Sequence, residues 1–91
     1  MGKFLAVHTL PGPMTADEVA PIAKASKAMS GADAYWIGAS LQMNDQGKIT
    51  KIFCEWDAKN AESVRNIITK IPGAPLDGVY PMGKVDAEAY R

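Results

Sequence analysis

The feature that most restricts the fold of this chain is the succession of hydrophobic periods along it. Phe4 to Leu10, FLAVHTL, is an apolar, β-rich run stopped by Pro11-Gly12-Pro13, which predicts a strand and then a loop. Thr15-Ala16-Asp17-Glu18 fits a capping box, in which a hydroxyl and a carboxylate three residues apart each satisfy an amide that the helix start leaves free. Val19, Ile22, Ala23, Ser26 and Met29 then recur at helical spacing, and Ser30-Gly31 suits the stop. Ala34 to Met43 and Lys48 to Trp56 are strand-like runs on either side of Asn44-Asp45-Gln46-Gly47, a turn short enough to make them a hairpin. Asn60 can cap a second helix with Val64, Ile67, Ile68 and Ile71 on one stripe, and Pro72-Gly73-Ala74-Pro75 ends it. Asp77 to Val85 is a fourth strand. Pro81 within it implies an edge position or a bulge, because proline donates nothing to a ladder.

The order is β-α-β-β-α-β, so the expected class is α+β: a ferredoxin-like two-layer sandwich. Right-handed crossovers give a four-stranded antiparallel sheet in the order 4-1-3-2, with both helices on one face. Ninety-one residues make a single domain, 1–91, since domains run to about 100–200 residues. Residues 86–91 are polar and read as a loose tail. There is no internal repeat and no low-complexity segment.

Alternation splits each strand into two faces. Tyr35, Ile37, Ala39, Leu41 and Met43 are nearly all apolar, as are Ile52, Cys54 and Trp56. We assign these sets to the helix-covered core and expect Leu5 and Val7 to join them. The other face then carries Phe4, Ala6, His8, Trp36, Ser40, Phe53, Glu55, Tyr80 and Met82. Its aromatics form an apolar patch of the kind that marks an interaction surface, and the expected partner is a second copy packing sheet to sheet. Trp36, Glu55 and Tyr80 on that face are the candidate ligand-binding residues.

Ten basic and ten acidic side chains give zero net charge. That leaves no electrostatic footprint for phosphate backbones or anionic lipid, so nucleic acid and membrane surfaces are not expected partners. No apolar run approaches the ~18 residues of a membrane span, and Met1-Gly2-Lys3-Phe4 does not open a signal peptide. One cysteine cannot form an internal disulfide, which reads as a reducing, cytoplasmic compartment. It also excludes the Cys-x-x-Cys of a copper-chaperone domain. The third strand, Lys51 to Trp56, lacks the basic, glycine-containing pattern of an RNA-recognition motif. Neither a P-loop nor a Gly-x-Ser-x-Gly nucleophile elbow is present.

Two side chains stand out as metal donors. His8 is the only histidine and Cys54 the only thiol. Imidazole with thiolate suits nickel, copper or zinc. The face assignment, however, sets them on opposite sides of the sheet and leaves Cys54 a buried, unreactive thiol. On that assignment His8 shares its face with Glu55, with which it could pair.

Phe4-Leu5-Ala6-Val7-His8 with Pro11-Gly12, Thr15-Ala16-Asp17-Glu18, Tyr35-Trp36-Ile37, and Phe53-Cys54 followed by Trp56-Asp57-Ala58 together resemble the small bacterial family catalogued as domain of unknown function 4242. Its members include a nickel-binding protein. The resemblance implies a ferredoxin-like homodimer of the dimeric α/β-barrel type, with His8 and Cys54 where metal ligands would stand. A strand-two histidine of the family falls at Gly38 here, so ligation would draw on Glu55, Met43, Tyr35, backbone or a partner chain. The wider dimeric-barrel group includes cofactor-free oxygenases and isomerases with pockets between sheet and helices. Two expectations follow. One is a homodimeric protein that binds nickel, another transition metal or a small ligand without catalysis. The other is a small enzyme acting on an apolar or aromatic molecule.

Overall fold

The structure is a computed structural model that describes residues 1–90. Its elements are β1 (Gly2–Met14), α1 (Ala16–Ala28), β2 (Ala34–Met43), β3 (Ile49–Ala58), α2 (Ala61–Ile68) and β4 (Gly78–Pro81). The sheet is antiparallel in the order β2-β3-β1-β4, as the crossover argument requires. Both helices lie on one face, where Val19, Val64 and Ile68 close over Ala6, Cys54, Trp56 and Val79.

Local chemistry sets the boundaries. The capping box at α1 is complete: Glu18 N–H donates to Thr15 Oγ1 at 3.2 Å, and Thr15 N–H donates to Glu18 Oε1 at 2.9 Å. Asn60 caps α2 by accepting from Ser63 N–H at 2.9 Å. In the hairpin turn, Asn44 Oδ1 accepts from the amides of Gln46 and Lys48 at 3.0 Å each. Gly47 there takes φ of +76°, a conformation that side chains with a Cβ rarely adopt. Pro81 sits on the edge strand. The fourth strand is shorter than the sequence suggests, and Ala87–Tyr90 in the tail form an exposed 3₁₀ turn. Arg91 of that expected tail lies outside the described residues.

The pairings form rows across the sheet. On the helix face they run Trp36–Trp56–Phe4–Pro81, then Ala39–Cys54–Ala6–Val79, then Leu41–Ile52–His8. On the open face they run Gly38–Glu55–Leu5–Tyr80 and Ser40–Phe53–Val7–Gly78. This corrects the sequence-based faces of strand one. Phe4, Ala6 and His8 point under the helices, with Ala6 and His8 at 0% and 5% exposure. Leu5 and Val7 lie on the open face. The reason is that β1 is a central strand with both faces partly covered, so both of its alternating sets are apolar and alternation carries no direction.

Trp36 also moves to the helix face. Ile37 is an extra residue between Trp36, which pairs with Trp56, and Gly38, which pairs with Glu55. Such a bulge inverts the alternation on its two sides. Tyr35 and Ile37 are therefore not core residues, at 47% and 45% exposure. A second shift, at Thr50, brings Ile49 onto the core face out of period with Ile52. Ala39, Leu41 and Met43 do share the helix face, but α1 stands off this edge and all three are exposed.

Candidate functional site

The rows decide which candidate residues meet. His8 and Cys54 share the helix face of the two central strands, one pairing step apart on the diagonal, since His8 opposes Ile52 and Ala6 opposes Cys54. The separation expected from the sequence is thus overturned, and so is a His8–Glu55 pairing, because Glu55 is on the open face. The loop after α2 orients the imidazole: His8 Nδ1 lies 2.5 Å from the Pro75 carbonyl oxygen. A carbonyl only accepts, so Nδ1 carries a proton directed at it. Cys54 is 8% exposed. Burial pushes its pKa from an ordinary 9.0 up to about 11, and the Trp36 side chain opposes that in part. The thiol is held protonated at neutral pH.

Nickel suits imidazole and thiolate donors in kind, and structural transition-metal sites gather several donors around one ion. Among the described residues, no three His, Cys, Asp or Glu side chains converge. The pair His8 and Cys54 fits a soft metal in kind but not in number, and its thiol is protonated. Gly38, the position at which the resemblance sets a further histidine, is on the opposite face.

The three ligand-binding candidates divide as well. Glu55 and Tyr80 flank Leu5 on the open face. There Lys84 Nζ reaches Glu55 Oε1 at 2.6 Å, and a cleft of about 260 Å³ lies over Leu5, Phe53 and Met82. Trp36 stands on the other side of the sheet.

The resemblance implies a pocket between sheet and helices; what sequence reasoning missed is most of the residues that line the space beneath α1. Small side chains oppose one another there: Ala20 and Ala23 from the helix, Ala39 and Cys54 from the sheet. Side chains that short cannot fill the gap between a helix and a sheet. The result is a cavity of about 250 Å³, with Ile22, Leu41 and Trp36 among its walls. It adjoins the open edge at Leu41, which is 44% exposed. No charged side chain and no histidine is among the described residues lining it. Trp36 Nε1 is buried, and the Trp36 side chain hydrogen-bonds to Cys54. Ser26, also in the wall, spends its hydroxyl proton on the Ile22 carbonyl at 2.9 Å. The signal for this space was present in the run of alanines in α1, but it needed the bulge at Ile37 to bring Trp36 to the same side.

Comparison with known proteins agrees with the fold. The crystal structure of SCO4226 from Streptomyces coelicolor A3(2) superposes with a TM-score of 0.73 over 93% of this chain and 100% of that one, at 17% sequence identity. At that identity the likeness speaks for the fold alone. No curated protein matches the chain. A family model described as nickel responsive protein SCO4226-like matches residues 4–82. The chain belongs to the SCO4226-like family of nickel responsive proteins.

Proposed function

We propose that this chain is a homodimeric binding protein whose ligand is a small, largely apolar molecule held between α1 and the sheet. The cavity carries the reading. It is walled mostly by small apolar side chains among the described residues, and it adjoins an open edge. A cavity of about 150 Å³ lined by aliphatic side chains is known to hold benzene, so 250 Å³ suits a ring with a substituent. Binding is favoured over catalysis because no carboxylate, amine or imidazole faces the space to move a proton. Leu5, Val7, Phe53 and Met82 on the open face, with Tyr80 beside them, support association of two copies sheet to sheet.

The test is amide NMR of the protein titrated with toluene and with acetophenone. Saturable shifts confined to α1, β2 and β3 are expected, and Ala23→Leu, which fills the cavity from the helix side, should abolish them. Shifts that persist unchanged in Ala23→Leu, or no saturable shift with either molecule, refute the reading.

A second reading is direct metal binding. It is favoured by the family's description and by the shared face of His8 and Cys54. Calorimetry with NiCl2 on the protein and on His8→Ala decides it: heat lost in the variant supports His8 as a ligand, and equal heat in both removes it.

A further inference from the structure

We propose that the space under α1 is a blind slot for a single aliphatic chain of about ten carbons, which enters methyl end first and leaves its polar head in water at the β2 edge. The inference rests on the ligand-binding reading above and names the class of ligand.

Volume alone admits a ring with a substituent, and the length of the space narrows the choice. Ala16 and Ser26 both border it, ten positions apart on α1, and a helix rises about 1.5 Å per residue, so the helix side runs for about 15 Å. On the sheet side Trp36 and Leu41 of β2 border it, as do Ile49 and Cys54 of β3. Each pair is five positions apart, and at about 3.3 Å per residue the strands give the same length, slightly shortened by their bulges. A volume of about 250 Å³ over about 15 Å leaves a cross-section of about 17 Å². Benzene in about 150 Å³ sets about 25 Å³ per carbon, and a zigzag of bonds of about 1.5 Å advances about 1.25 Å per carbon, so an extended chain is about 20 Å² across. About ten carbons, some 12 Å long, then fill the space. The same carbons in fused rings are shorter and broader than this slot, and the length left empty forfeits contacts.

The two ends differ. At the Ser26 end the helix and the strand are tied together. Ser30 Oγ donates to the Ser26 carbonyl at 3.0 Å and accepts the Trp36 N–H at 2.9 Å, and Lys27 Nζ donates to the Tyr35 hydroxyl. Ser26 itself is 5% exposed. At the Ala16 end the walls reach water, since both Ala16 and Leu41 are exposed. None of the described lining residues carries a charge at neutral pH, and the Ser26 hydroxyl proton is committed to Ile22. A polar head that entered would lose water and gain little in return. The methyl end therefore goes to the closed end and the head stays at the mouth.

The test titrates 1,2-hexanediol, 1,2-octanediol, 1,2-decanediol and 1,2-dodecanediol, all uncharged, into the full chain by NMR. Affinity should rise about fourfold per methylene from hexanediol to decanediol and then stop, with dodecanediol no tighter. In the decanediol complex, intermolecular NOEs should join the terminal methyl to the Trp36 ring and the diol end to the Ala16 and Leu41 methyls. Ser26→Leu, which fills the closed end, should cancel the advantage of decanediol over octanediol. The chains of palmitoyl-oleoyl phosphatidylcholine are too long for the slot, so the protein should not sediment with vesicles of that lipid. An affinity that keeps rising through dodecanediol, a terminal methyl seen at the Ala16 end, sedimentation with the vesicles, or an undiminished decanediol advantage in Ser26→Leu overturns this inference and leaves the cavity reading standing. So does absence of diol binding where toluene or acetophenone binds. If neither the diols nor those ring probes bind, or if Ala23→Leu leaves decanediol affinity unchanged, the cavity reading falls and this inference with it. Should Ser26→Leu not fold, the chain-length cut-off and the NOEs decide alone.

Discussion

Cys54 offers a quantitative test of the register on which the site depends. The thiol lies between Ala39 and Ala6 in a row under the helices, and burial raises its pKa from 9.0 to about 11. Because the folded value is the higher one, folding favours the protonated thiol. The stabilisation is complete below the unfolded pKa near 9 and is lost as pH climbs toward 11. Linkage gives the size: about 1.4 kcal/mol is lost by pH 10 and roughly 3 kcal/mol once both states are ionised. Lysines and tyrosines titrate in the same range, so the useful quantity is the difference between the protein and Cys54→Ala, which lacks only this group. At pH 7 the alanine variant should be less stable by about 1–2 kcal/mol for the lost packing. The gap should close near pH 10 and change sign above it. Urea unfolding at pH 7, 9 and 10.5, read by circular dichroism, measures it. A stability difference that stays constant with pH would show that Cys54 is not desolvated in the folded chain, and the helix-face assignment of β3 would fail with it.

Ile68, 2% exposed beneath α2, should cost about 2–5 kcal/mol when cut to alanine, measured by the same urea unfolding. Thr15→Ala removes the hydroxyl of the α1 capping box and should cost about 0.5–2 kcal/mol. Glu18, the other half of that box, has its pKa lowered by the Thr15 backbone amide and side chain. Its contribution is therefore present above the usual glutamate range and fades as pH falls through the depressed value, so the Thr15→Ala deficit should shrink in acid. Phe53→Lys places a charge at the centre of the open face. Light scattering at micromolar concentration should then report monomer where the parent is a dimer; a monomeric parent would refute the sheet-to-sheet pairing. Trp56→Phe removes a buried indole N–H that has no partner, so by thermal melting it should be markedly milder than Trp56→Ala, which loses about 3–5 kcal/mol of packing.

The parts of the fold that were legible in the sequence are those fixed by short-range chemistry. The Thr15–Glu18 box, the Asn60 cap and the Asn44–Gly47 turn each solve a local hydrogen-bonding problem with residues a few positions apart, so each can be read in place. Strand order followed from the succession of elements and the handedness of crossovers. The site was less legible because it depends on faces, and faces depend on register. In β1, Phe4, Ala6 and His8 are no more apolar than Leu5 and Val7, since a central strand is covered on both sides. In β2 the phase set by Ala39 and Leu41 is true only beyond Ile37. Nothing in the composition of Tyr35-Trp36-Ile37-Gly38 marks the extra residue, because the bulge is determined by pairing to β3. The continuation of β1 through Pro11 and Pro13 was hidden for a similar reason. Leu10 to Pro13 loop out between the Thr9–Lys51 and Met14–Ile49 pairs and need no ladder donors.

The bulge at Ile37 also bears on how side chains correspond among distant members of this family. A single inserted residue carries every position before it in β2 to the other side of the sheet. In a relative whose second strand lacks that insertion, the residue matching Trp36 would project from the open face of the sheet rather than into the space under α1. The residue matching Tyr35 would take its place inside. At 17% identity a one-residue difference of this sort leaves little trace in the letters, yet it exchanges the lining of the space under a helix with the uncovered face of the sheet. Inheritance of a metal or ligand function across the family therefore turns on strand length as much as on which residue occupies a position.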